Sequence, residues 1–66
     1  MPTITINGQS RETSATNVAE LIATLELAAD RVAVEQNLEI VPRDTWAQVP
    51  VREGDRFEIV HFVGGG

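Results

Sequence analysis

Apolar residues change their spacing several times along this chain, and each change marks an element. Thr3-Ile4-Thr5-Ile6 alternates polar and apolar, the period-two pattern of a half-buried strand. Asn7-Gly8 follows, a pair that favours a tight two-residue hairpin turn. The return segment, Gln9 to Thr13, is polar throughout and is expected at a sheet edge. The spacing then switches. Val18, Leu21, Ile22 and Leu25 fall at i, i+3, i+4 and i+7, one apolar stripe of a helix of about three turns. Thr16 or Asn17 can cap it, and Glu20 stands three residues after Asn17 as in a capping box. Leu27 is expected to pack as the chain leaves the helix.

Alternation returns at Arg31 to Gln36, where Val32 and Val34 point one way and Ala33 and Glu35 the other. Asn37-Leu38-Glu39 reads as a turn, and Ile40-Val41 as a short strand stopped by Pro42. Trp46 and Val49 are isolated apolar residues in an irregular stretch that ends at Pro50. Glu53-Gly54-Asp55 is a turn, and Arg56 to Val63 the last strand. On that strand Phe57 and Ile59 share one face, continued by His61 and Val63; Glu58, Val60 and Phe62 share the other. One helix and one mixed sheet of four to five strands pack stably when the helix lies across one sheet face. The expected fold is α+β, with the helix stripe on Ile4, Ile6, Val32, Val34, Phe57 and Ile59.

Composition narrows the chemistry. Sixty-six residues make a single domain, 1–66, near the size at which one core barely suffices. The chain has no cysteine and one histidine, so neither disulfides nor a zinc site can staple it. Its apolar runs are too short for a membrane span or a signal-peptide core, and with no cysteine the expected location is the cytoplasm. Ten acids against five arginines give a formal charge of −5. That disfavours nucleic acid and favours basic protein surfaces. There is no lysine, so no side-chain amine or thiol of this chain can capture an activated acyl group.

No self-contained active site emerges. His61 lacks the nucleophile and orienting partner that a catalytic base requires, and is expected at the rim near the chain end. The carboxylates are scattered singly, without the spacing of a calcium loop. Glu53 and Asp55 flank a turn glycine and are expected to be solvated. Trp46 is expected to be a packed anchor. No resident cofactor or metal is expected.

Two features remain. Val60 and Phe62 should be exposed on the sheet face opposite the helix, with Ala33 beside them on the neighbouring strand; a contiguous apolar patch marks a docking surface. They lead directly into Gly64-Gly65-Gly66, the last three residues of the sequence. Such a tail can reach roughly 10 Å when extended. Without side chains it can enter a narrow slot and deliver the Gly66 carboxylate, with Gly64 and Gly65 threading behind it.

In order and spacing these marks resemble the ThiS family of sulfur carrier proteins, across essentially the whole chain. They are the Asn7-Gly8 turn, the leucine-bearing helix, Val32-Ala33-Val34-Glu35 followed by Asn37, Ile40-Val41-Pro42-Arg43 with Trp46, Glu53-Gly54-Asp55, Phe57-Glu58-Ile59-Val60 and the glycines. The resemblance implies the β-grasp, ubiquitin-like fold and a carrier rather than an enzyme. It implies that the terminal carboxylate, here Gly66, is adenylated by a ThiF-like adenylyltransferase that uses ATP. Sulfur from a cysteine desulfurase or other sulfurtransferase then replaces AMP, and a ThiG-like thiazole synthase takes it for the thiazole of thiamin. The family requires a terminal glycine pair, which Gly65 and Gly66 supply. The alternatives are a sulfur carrier for molybdopterin or cysteine synthesis, a ubiquitin-like modifier, or a non-covalent interaction domain.

Overall fold

The computed structural model describes residues 1–62. Strand β1 (Thr3–Ile6) turns back through Asn7 and Gly8 into β2 (Gln9–Glu12), with Ile6 opposite Gln9. Both turn residues have positive φ, 50° and 84°, the geometry that matches the twist of a two-residue hairpin. Glycine at the second position adopts it without steric cost. Strand β2 is exposed along its length and ends one residue earlier than its polar run suggests; Thr13 leaves the edge and is buried.

Helix α1 (Val18–Thr24) buries Val18, Leu21 and Ile22. Asn17 is its N-cap, and its side chain accepts from the Glu20 N–H at 2.8 Å. The reciprocal arm differs from the expected box. The Glu20 carboxylate accepts from the Thr16 N–H and hydroxyl, at 2.8 and 3.0 Å, one residue further back. The helix is also shorter than its stripe predicts. Glu26 takes φ 59°, and the N–H groups of Glu26 and Leu27 close back on Ala23 O and Ile22 O. Leu25 and Leu27 pack half-buried against the core as the chain leaves.

A 3₁₀ turn, Ala29–Arg31, leads into β3 (Val32–Gln36). Asn37 and Leu38, both at positive φ, join it to β4 (Glu39–Ile40). This replaces the expected Ile40-Val41 strand: the two-residue turn sets Gln36 opposite Glu39, so pairing starts at Glu39 and Val41 is buried. The stretch expected to be irregular contains a 3₁₀ helix, Arg43–Gln48, that seats Trp46 in the core with its indole N–H on Val41 O at 2.9 Å. Strand β5 (Arg56–His61) then enters between β1 and β3. The order is β2-β1-β5-β3-β4, with β1 and β5 parallel and the other pairs antiparallel. Val63, expected in the last strand, lies outside the described residues.

The helix covers one face, over Ile4, Ile6, Val32, Val34, Phe57 and Ile59 as expected; Ala15, Val41, Trp46 and Val51 complete the core. This is the β-grasp arrangement.

Asp55 departs from expectation as well. It is buried rather than solvated, and accepts from the Asn37 and Gln36 amides at 3.0 and 2.9 Å and from the Arg52 N–H at 2.9 Å. Burial alone would raise its pKa. Hydrogen bonds from Asn37, Arg52 and Gln36, with the charge of Arg52, outweigh that and hold it below the usual carboxylate value. Glu53 is tied as well, accepting from the Thr3 N–H at 2.9 Å.

Candidate functional site

With the helix on one side, alternation along β5 turns Glu58 and Val60 outward while Phe57 and Ile59 point inward. Val60 is directly opposite Ala33 on β3, and both are exposed. Past the end of β5 the Phe62 N–H still donates to Arg31 O, at 2.7 Å. That bond extends the pairing and keeps Phe62 on the Val60 side. Val60 and Phe62 are each 56% exposed. Ala33, Val60 and Phe62 thus come together as expected, in an apolar stripe where β5 runs out. Gly64, Gly65 and Gly66 lie outside the described residues.

The next row across the same face is Ile40, Glu35 and Glu58, set by the pairings Glu35–Ile40 and Glu35–Glu58. Ile40, 75% exposed, was missed as a surface residue. Its signal was present. A two-residue turn at Asn37-Leu38 fixes a register that places Ile40 with Glu35, on the Ala33 face.

His61 is exposed on the helix side of the sheet and lines a shallow hollow of about 340 Å³ with Ile6, Asn7, Leu25, Leu27 and Ile59. No serine, threonine or cysteine lines that hollow. Among the described residues no cluster of histidine, cysteine, aspartate or glutamate could hold a metal ion, and no helix is long and apolar enough to cross a membrane. What this arrangement offers chemically is an exposed apolar stripe, followed in sequence by glycines.

The ThiS family model matches residues 4–66. The chain belongs to the ThiS family. The crystal structure of the thiamine biosynthesis protein ThiS from Geobacter metallireducens superposes with a TM-score of 0.81 at 35% identity, covering 97% of this chain and 99% of that one. The sulfur carrier protein ThiS of Escherichia coli is 34% identical over 64 residues, 96% of this chain and 97% of that protein. A thiazole synthase from Paramagnetospirillum magneticum is 50% identical over 64 residues, 96% of this chain but 20% of that protein. This ThiS-family chain therefore spans about a fifth of the length of that thiazole synthase.

Proposed function

We propose that this chain is a sulfur carrier of thiamin biosynthesis, acting as a co-substrate rather than a catalyst. In a chain that ends at Gly66, the terminal carboxylate is ionised at neutral pH and is a poor electrophile. A ThiF-like adenylyltransferase joins it to the AMP portion of ATP and releases pyrophosphate. Sulfur from a cysteine desulfurase or other sulfurtransferase then displaces AMP. The carbon–oxygen bond to AMP is exchanged for a carbon–sulfur bond. Because the donor delivers its sulfur as a persulfide, the product is an acyl disulfide, and a thiol reductant then cleaves its S–S bond to leave the thiocarboxylate. Activation splits one hard substitution into two easier ones. The nucleotide chemistry belongs to the partner; this chain contributes docking through Ala33, Val60 and Phe62, and a positioned end threaded by Gly64 and Gly65.

The observation that carries this reading is the exposed Ala33–Val60–Phe62 stripe, held to the end of β5 and leading into three glycines, in a ThiS-family chain. Relatives that are named thiazole synthase and contain a matching segment favour thiazole synthase as sulfur acceptor over molybdopterin or cysteine synthesis.

The test is intact mass spectrometry after incubation with the adenylating enzyme, ATP and a sulfur source. The expected product carries sulfur in place of one terminal oxygen, and deleting Gly66 or adding a residue after it abolishes the product. Conjugates of higher mass on target lysines would make the chain a modifier. ATP-independent binding that survives loss of Gly66 would make it an interaction domain.

A further inference from the structure

The far end of the outer face carries a feature that the carrier chemistry does not use. Leu38 closes the β3–β4 hairpin at φ 72° and is 90% exposed. A leucine in the left-handed region is a steric outlier, and glycine or asparagine would relieve it. The side chain is in solvent, so no core contact of the leucine itself offsets that cost. Ile40 stands two residues on, and Leu38, Asn37, Arg56 and Glu58 line a hollow of about 320 Å³. Acids flank the pair: Glu39 between the two, and Glu35 and Glu58 facing each other across β3 and β5. Arg56 is the one cation lining this hollow. Like charges directly opposite one another destabilise the free sheet.

We propose that the Leu38–Ile40 hairpin tip is a second docking point, separate from the Val60–Phe62 stripe, and that an apolar patch rimmed by arginine or lysine on the adenylating enzyme covers it. Charge complementarity favours a basic-rimmed partner over a second copy of this chain. A second copy would bring Glu35, Glu39 and Glu58 against their own kind, whereas a basic rim relieves the Glu35–Glu58 repulsion. Strain that the isolated domain does not need is then retained for the contact. The identity of the partner rests on the carrier reading.

The test measures urea midpoint, sedimentation and affinity for the purified adenylating enzyme, for the unsubstituted chain, Leu38→Gly, Ile40→Thr and Glu35→Gln/Glu58→Gln. Leu38→Gly is expected to raise the midpoint and weaken binding about tenfold, as loss of a good anchor does. Ile40→Thr weakens binding while keeping a β-branched strand residue. The double glutamine variant binds more weakly and with less dependence on salt. Leu38→Gly binding within about twofold of the unsubstituted chain overturns the proposal, as does a self-associated unsubstituted chain that Leu38→Gly turns monomeric. Failure of the unsubstituted chain to bind the enzyme at all overturns the carrier reading, and this proposal with it.

Discussion

The Asn7 side chain brackets Ile59: its Oδ1 accepts from the Ile59 N–H at 2.8 Å and its Nδ2 donates to Ile59 O at 3.0 Å. The parallel β1–β5 pairing ends at Ile6–Phe57, where β1 turns away. The Asn7 N–H makes one more main-chain bond, to Phe57 O, and the amide then supplies the following rung. Asn7 therefore shapes the hairpin turn and anchors the strand that carries Val60 and leads into Phe62. Asn7→Gly keeps the turn geometry but leaves two β5 backbone groups without this partner. It should cost about 1–3 kcal/mol in urea denaturation. Asn7→Asp keeps the acceptor and should cost less. Equal midpoints for Asn7→Gly and the unsubstituted chain would show that water replaces the amide.

The two faces of β5 should separate stability from recognition. Phe57 is fully buried under the helix, whereas Phe62 is exposed next to Val60. Phe57→Glu puts a carboxylate in the core and should prevent cooperative folding. Phe62→Glu should leave the thermal midpoint nearly unchanged and weaken binding to the adenylating enzyme by about 1–3 kcal/mol. Melting curves and titrations on both variants decide. An unfolded Phe62→Glu would show that the outer face is covered within the molecule itself.

Asp55 should set part of the acid limb of stability. Its pKa is lower in the folded chain than the unfolded value of about 3.9. The folded state thus holds the ionised form, and this contribution is fully present above that unfolded value. It is lost as pH falls through the folded pKa. Glu20, whose carboxylate is held low by the Thr16 N–H and hydroxyl, acts in the same sense. Asp55→Asn removes the charge and turns an NH₂ toward either the Asn37 donor or the Gln36 and Arg52 donors, since only one of the two oxygens remains. It should cost about 1–3 kcal/mol near neutrality and flatten the decline below about pH 4. An unchanged acid limb in this variant would place the acid sensitivity elsewhere.

Much of this structure was legible because the signals were local. Period-two alternation located β1, β3 and β5, and the outward Ala33, Val60 and Phe62 followed from the same parity. The i, i+3, i+4 stripe located the helix. What was missed depends on contacts distant in sequence. Asp55 looked like turn chemistry because its partners Gln36 and Asn37 are 19 and 18 residues away. Asn7 read as a turn former, since nothing local reports that its amide reaches Ile59. The 3₁₀ helix at Arg43–Gln48 has no long apolar period, and is fixed by Trp46 entering the core and its indole reaching Val41 O. Leu38 was assigned correctly to a turn, but its strain and exposure appear only once φ is known.

The end of the helix supplies the last prediction. The stripe runs on to Leu25, but Glu26 at φ 59° reverses the chain, with its N–H on Ala23 O at 3.0 Å and the Leu27 N–H on Ile22 O at 3.4 Å. This is the Schellman arrangement, in which glycine usually fills the left-handed position. Glutamate there bears a steric cost of about 1–2 kcal/mol, and its negative charge sits at the end of the helix where cations are favoured. Glu26→Gly removes both penalties but increases the freedom of the unfolded chain by about 0.4–1 kcal/mol. The balance is a gain of about 1 kcal/mol, which for a domain of this size raises the midpoint by about 4–8 °C. Glu26→Gln tests the charge alone and should recover only the smaller part. Glu26 is exposed and away from Ala33, Val60 and Phe62, so binding to the adenylating enzyme should not change. A lower midpoint for Glu26→Gly would mean that the glutamate makes a stabilising contact that outweighs its strained backbone.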